Sequence, residues 1–239
     1  MNLDPATNID SRWLVGLLQA GDSYYPTGAY AHSFGLEGLV QTGVVRDRAT
    51  LREFIFRSVL PALRQAELPL AAQAYAALDP AAPDWTKVGE LCVLAHALKS
   101  AKEARMATEN IGRQRAELIV TLHGHPLAKD YLAHVAAQGW PFSSAVSAAL
   151  EGRVLGAPLE AVLAGVMYSS LGGLLAASMK ILRIGQNASQ TLLTEALAQA
   201  PAIIALAMTV PFDEIGWFNP WLDIAAARHE TADGRMFIS

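Results

Sequence analysis

Cysteine is nearly missing from this chain. Cys92 is the only one in 239 residues, so no intrachain disulfide can form and no thiolate-rich zinc site can be built within one chain. Charge is also scarce: Asp, Glu, Lys and Arg make up 17% of the residues and the net charge is −4. A nucleic-acid binder needs a basic patch to neutralise phosphates, and that balance argues against one. The catalytic signatures are absent too. There is no Gly-x-x-x-x-Gly-Lys-Ser/Thr phosphate loop, no Gly-x-Ser-x-Gly elbow and no His-Glu-x-x-His. Strand-like alternation and internal repeats are lacking, and no linker separates two halves. The start, Met-Asn-Leu-Asp-Pro, has no basic region followed by an apolar core, so no signal peptide is read and a cytoplasmic protein is expected.

Apolar residues, by contrast, make up 52% of the chain, enough for a sizeable core. Their spacing is helical almost throughout. Ser11 precedes a first helix with Trp13, Leu14, Leu17 and Leu18 on one face. After a loop, a short helix is expected from about Ala31 to Thr42, closed by Gly43. Leu51, Phe54, Ile55, Val59 and Leu63 share a helical phase, with Pro61 and Pro69 expected to kink or break it. Asp84 caps a helix through Leu98, and another runs from near Ser100 to Leu122. Pro126, Pro158, Pro201 and Pro220 sit where first helical turns belong, and Asn187 is positioned to cap a further helix. Ala161 to Met179 carries no charge and approaches the length of a membrane span. It is rich in Ala, Gly and Ser, and Gly165, Ser169, Gly173 and Ala177 recur every four residues. That smooth stripe fits close approach of another helix inside a soluble bundle. The expected fold is a single all-α domain, a bundle of roughly ten helices over 1–239, with a flexible lead-in at 1–10.

The most informative stretch is Pro26-Thr27-Gly28-Ala29-Tyr30-Ala31-His32-Ser33-Phe34-Gly35-Leu36-Glu37. It reads as a loop running into a helix, and its aromatic and polar tips suit contact with a partner. Tyr30 offers a rigid face with a polar tip. Gly28 and Gly35 allow turning or close approach, though with Glu37 they equally suit ordinary turn and capping work. His32 and Ser33 are chain neighbours and point apart, so spacing alone does not make them a nucleophile–base pair.

Histidine gives three arrangements to weigh for metal. His123 and His125 flank Gly124 at a helix junction and either grip an ion weakly or sit in solvent. Cys92 and His96 are one helical turn apart, but the apolar neighbours of Cys92 equally make it a core residue. His229, in a polar tail, is a lone ligand candidate or a hydrogen-bonding residue.

Four blocks, in order along nearly the whole chain, resemble the urease accessory protein UreF family. The first is the loop above with Gly43-Val44-Val45. The second is Lys102-Glu103-Ala104-Arg105-Met106-Ala107-Thr108 with Gly112-Arg113-Gln114, similar to the family's Glu-x-Arg segment. The third is Lys180-Ile181-Leu182-Arg183-Ile184-Gly185-Gln186. The fourth is Pro220 to Thr231, ending in Arg235-Met236-Phe237-Ile238-Ser239. The chain departs from the family at Asp233-Gly234, where Tyr-Ser is common, and Val210 to Asn219 has no assigned counterpart.

The resemblance implies an all-helical, non-enzymatic homodimer that links a UreD (UreH) scaffold and a UreG GTPase during nickel delivery to apo-urease, and that bears on GTP hydrolysis. It implies no tightly bound cofactor, with nickel only in transit, and neither nucleic acid nor membrane as partner. Partner-facing residues carried over are Tyr30, His32, Ser33, Glu37, Glu103, Arg105, Gly185, Gln186, Arg228, His229, Glu230 and Arg235. The tail from about 225 to 239 is expected to order on docking to a partner. Two other readings are kept: a direct nickel carrier through His229 or His123 and His125, and a small membrane protein spanning at Ala161–Met179.

Overall fold

The helices begin where local chemistry starts them. The computed structural model describes residues 11–29, 32–229 and 234–237, and it contains no strand among them. Thirteen α-helical segments follow in order: α1 Arg12–Gly21, α2 Leu36–Gln41, α3 Arg48–Phe54, α4 Leu60–Ala62, α5 Leu68–Ala77, α6 Trp85–Ala97, α7 Lys102–His123, α8 Pro126–Gln138, α9 Ser144–Leu155, α10 Leu159–Ile181, α11 Gln186–Leu197, α12 Ala200–Ala207 and α13 Pro220–His229. Asp47 caps α3 by accepting the backbone N–H of Thr50, and the Thr50 hydroxyl accepts the backbone N–H of Asp47 in return. Asp84 and Ser143 accept from the third residue of α6 and α9. Pro126 opens α8 as its spacing requires.

Four local expectations are corrected. The helix expected from Ala31 starts at Leu36, because Phe34 and Gly35 take left-handed backbone angles (φ 54° and 84°) that no right-handed helix accepts. The lead-in at 1–10 and Ala31 itself lie outside the described residues. Gly185 caps the start of α11, so Asn187, expected as the cap, is instead the second helical residue. The apolar face expected on α1 is only partly covered: Trp13 and Leu17 are half-buried, while Leu14 and Leu18, with Val15 beside them, are exposed.

The fourth correction concerns Pro61 and Pro69. Neither breaks the chain's helical path, which runs from Arg48 to Ala77 with π-helical turns at Ile55–Val59 and Leu63–Glu67. Each proline is the second residue after such a turn. The wider turn shifts the hydrogen-bond register just where proline lacks an N–H and where its ring would meet the preceding turn. The carbonyl of Gln65, four residues before Pro69, accepts the N–H of Gly216 at 3.0 Å. The Gln73 and Gln65 side-chain amides donate to the carbonyls of Val210 and Glu214, and Asn219 donates to Ser58. Val210–Asn219, which had no role from sequence, is laid as a strap along this helix.

The core is continuous from Leu36 to Ala225 and draws on every long helix. α10 lies at its centre, packed on α1, α2, α5, α9, α11 and α12, with Leu163, Met167 and Leu171 fully buried. Length and composition make it the one helix among the described residues that is apolar enough to cross a membrane, and its neighbours here are other helices of the same chain. Of its small-residue stripe, Ser169 faces Gly21 of α1, with Oγ 3.9 Å from a Cβ placed there, but Gly165 and Gly173 do not make the close helix contact expected. Nothing lies within 4 Å of a Cβ placed at Gly165, and at Gly173 the nearest atom is in the Phe34 ring, 3.9 Å away. Gly165, Ser169 and Gly173 line a cavity of about 330 Å³ bounded also by Phe34, Glu151 and Leu222.

The most extensive helix contact is α7 on α9. A Cβ at Gly112 would come within 2.6 Å of the Ser143 backbone, so only glycine permits this approach. The contact is a ladder of three rungs: Thr108 Oγ1 with Ser144 Oγ at 2.9 Å, Ser147 Oγ donating to the Gly112 carbonyl at 2.8 Å, and Arg115 paired with Glu151. Residues 108, 112 and 115 share one face of α7, and 144, 147 and 151 share one face of α9.

Candidate docking surface

The loop before α2 is fixed at both ends. At its start the Tyr25 hydroxyl donates to Glu151, which also accepts from Arg115. The carboxylate is 3% exposed and the guanidinium 14%. Burial beside that carboxylate pushes the Tyr25 phenol pKa upward. Thr27 is buried, and Gly28 (φ 78°) brings its backbone against Gln114, whose Oε1 would be 3.0 Å from a Cβ there. At its end His32 and Ser33 are buried. Burial lowers the His32 pKa, opposed by the nearby Glu103 carboxylate. Ser33 Oγ accepts the backbone N–H of Glu37 at 3.3 Å, which ties the loop to the first turn of α2.

Helix α2 then meets α13. A Cβ at Gly38 would lie 2.5 Å from the Ala225 carbonyl oxygen, and one at Gly35 would lie 2.8 Å from Leu222 Cδ1. The two helices therefore touch backbone to backbone. The Glu37 side chain, also buried, reaches the end of the chain: Oε1 accepts the N–H of Met236 at 2.8 Å and Oε2 that of Phe237 at 3.0 Å. Gln41 donates to the Gly234 carbonyl, and Arg235 pairs with Glu103 of α7 at 2.7 Å. Phe237 is buried, with the Lys180 ammonium 5.1 Å from its ring centre. The fourth block was expected to need a partner for order. Its described part is helical to His229 and is held at Gly234–Phe237 by the chain's own α2 and α7.

All four blocks thus meet in one place, through Glu37, Glu103, Lys180, Arg235 and Phe237. His32 and Ser33 lie beneath the surface rather than at its tips. Arg105 turns inward: its Nη1 donates to the carbonyls of Lys99 and Ser100 and so closes the α6–α7 corner. Gly185 and Gln186 are exposed at the start of α11, and Arg228 is exposed on α13. Tyr30 and Glu230, and the side chain of His229, lie outside the described residues. Sequence reasoning missed Tyr25, Glu151 and Arg115. The signal was there in a Glu amid the apolar and small residues of α9, where a lone carboxylate demands a partner.

Among the described residues no group of three or more His, Cys, Asp or Glu side chains is placed to hold a metal ion. His125 Nδ1 accepts the N–H of Leu127 as the cap of α8, and His123 is exposed. Cys92 is buried with its Sγ 3.8 Å from the Tyr131 hydroxyl, and burial lifts its thiol to about 11. His96 pairs with Glu109 at 2.6 Å instead of turning to Cys92. The nickel-carrier reading therefore finds no support in this arrangement.

The fold and the site together define an all-helical protein whose conspicuous residues assemble a composite surface from a pinned loop, a helix and a C-terminal segment. Residues 45–197 match the family model described as UreF. The chain is 32% identical over 227 residues to the urease accessory protein UreF of Azoarcus sp. (strain BH72), covering 95% of each chain. It is 30% identical over 239 residues to that of Methylibium petroleiphilum, covering 98% of each. For Bacillus sp. (strain TB-90) the figure is 26% over 226 residues, 95% of this chain and 99% of the relative. The chain belongs to the UreF family of urease accessory proteins.

Proposed function

We propose that this chain is a non-enzymatic adaptor in the nickel-dependent maturation of urease. It joins a UreD/UreH-like scaffold to a UreG-like GTPase, in the cytoplasm, and bears on GTP hydrolysis in that assembly while nickel passes to apo-urease without residing here as a cofactor. The observation that carries this reading is the Glu37 clasp. By gripping Met236 and Phe237 it merges the opening loop, α13 and the chain's end into one face, the kind of large composite contact that adaptors use. A homodimer is part of the same proposal. Its support is the uncovered apolar surface of α1, with Leu14, Val15 and Leu18 exposed, next to α10, where Tyr168 is also exposed.

Co-purification with the UreD-like and UreG-like proteins of the same source, read by size-exclusion chromatography, tests partners and dimer together. A ternary complex that Tyr30→Ala weakens, with thermal unfolding nearly unchanged, is the expected outcome. Absence of any complex, with urease still activated in a strain lacking this chain, overturns the proposal.

A further inference from the structure

The pair Arg115–Glu151 is an unusual possession for a helix seam. It sits at the end of the α7–α9 ladder, almost fully buried, and Arg115 Nε has no hydrogen-bond partner. Burying two charges costs solvation that their attraction only partly returns, and an unpartnered donor adds to that cost. An apolar pair would hold α7 to α9 at least as well, and the rungs above it already do so with neutral groups. What the carboxylate does that an apolar side chain cannot is accept from Tyr25. Its two oxygens are divided, Oε1 to the Tyr25 hydroxyl and Oε2 to Arg115. The guanidinium also lies 5.8 Å from the centre of the Tyr25 ring. Tyr24, the neighbour on the chain, is 92% exposed, so the grip is specific to one of two adjacent tyrosines.

We infer that Glu151, oriented by Arg115, is a positioning residue for the partner-binding loop: it fixes the limb Tyr25–Ala29 on the α7–α9 seam and thereby sets the direction in which the loop is offered to the scaffold protein. This rests on the adaptor reading above. The limb has few other ties. Tyr25 N–H donates to the Asp22 carbonyl and Thr27 N–H to that of Tyr25, bonds within the loop that cannot fix it to the body. Besides the burial of Thr27 and the guanidinium beside the Tyr25 ring, the body-side ties described are Glu151 and the contact of Gly28 with Gln114. The ladder makes the acceptor rigid, because Glu151 lies one turn beyond Ser147 on the face that Gly112 holds closed. Rigid seating of a binding loop is worth affinity because less ordering is left to do on association.

Tyr25→Phe is the mild test, since it deletes one hydroxyl and keeps the ring. Glu151→Gln keeps the shape and removes the charge. The full chain is compared with each variant by backbone hydrogen exchange at Tyr25 and Thr27, by thermal unfolding and by affinity for the UreD-like scaffold. We expect exchange at those two amides to quicken about tenfold or more while the core helices keep their protection, and scaffold affinity to fall about tenfold in Tyr25→Phe. Unchanged exchange at Tyr25 and Thr27 overturns the anchoring. Faster exchange with unchanged affinity overturns the positioning role. Failure of the wild-type chain to bind the scaffold sinks the adaptor reading instead, and the exchange result still decides the anchor.

Discussion

Glu37 and Phe237 are 200 positions apart, yet the carboxylate of one accepts the backbone N–H of the other at 3.0 Å. The same carboxylate holds Met236, so a single side chain takes two consecutive donors near the end of the chain. It sits in the first turn of α2, where a negative charge also meets the positive end of the helix dipole.

Glu37→Ala removes both acceptors and leaves two N–H groups without this partner. Each such loss costs about 1–3 kcal/mol where the group stays buried. The expected result is release of Gly234–Phe237 from α2 with the remaining helices intact. Faster hydrogen exchange at Met236 and Phe237 and earlier proteolytic trimming at the C-terminal end are the readouts. An equally protected end in the variant would show that Phe237 burial alone suffices.

Two glycines to alanine should behave oppositely. At Gly38 the new methyl falls 2.5 Å from a backbone oxygen of α13, an atom that cannot swing aside. Gly38→Ala is expected to destabilise the α2–α13 contact by about 1–3 kcal/mol, the usual range for overpacking. At Gly165 the same methyl enters open space in the middle of α10. Gly165→Ala is expected to be neutral or to stabilise by up to about 1 kcal/mol through helix propensity. Thermal unfolding of the two variants should give shifts of opposite sign or, at the least, a lower Tm for Gly38→Ala alone.

His32 gives the fold a pH dependence whose sign follows from its burial. Its folded pKa lies below the unfolded value near 6.5, so the unfolded chain takes up the proton first. Stability from this group is therefore complete above the unfolded value and declines as pH falls from there toward the lowered folded pKa. His32→Gln should flatten that part of the stability–pH curve, measured by urea unfolding between about pH 7 and 5. A curve as steep in the variant as in the parent would assign the slope to other groups.

How much of this was readable beforehand depends on how local the cause is. Asp84, Pro126 and Pro158 announce α6, α8 and α10 because capping and fixed φ act within one turn. The family blocks identified Glu37, Glu103 and Arg235 as worth notice, but not that they would meet, since the contacts join residues more than a hundred positions apart. Arg105 was equally conspicuous and proves to close a corner of its own helix pair. The role of Glu151 is not local, because its partners Tyr25 and Arg115 are both far from it in sequence. The rule that makes Pro61 and Pro69 kinks or breaks assumes a strict α register, and the π-turns relax that register.

The strap from Val210 to Asn219 has a further implication for how this chain can vary. Its rungs fall on Gln73, Gln65 and Ser58, and at 1.5 Å per helical residue the outer two stand roughly 22 Å apart. Nine steps of chain must cover that run, about 2.5 Å each, against a limit of about 3.3–3.6 Å for full extension. Losing two residues would stretch the segment close to taut, and adding one would put each carbonyl out of step with its amide. The length of this stretch is thus gauged by the pitch of the helix beneath it, while the side chains it carries outward, Phe218 among them, are free to change.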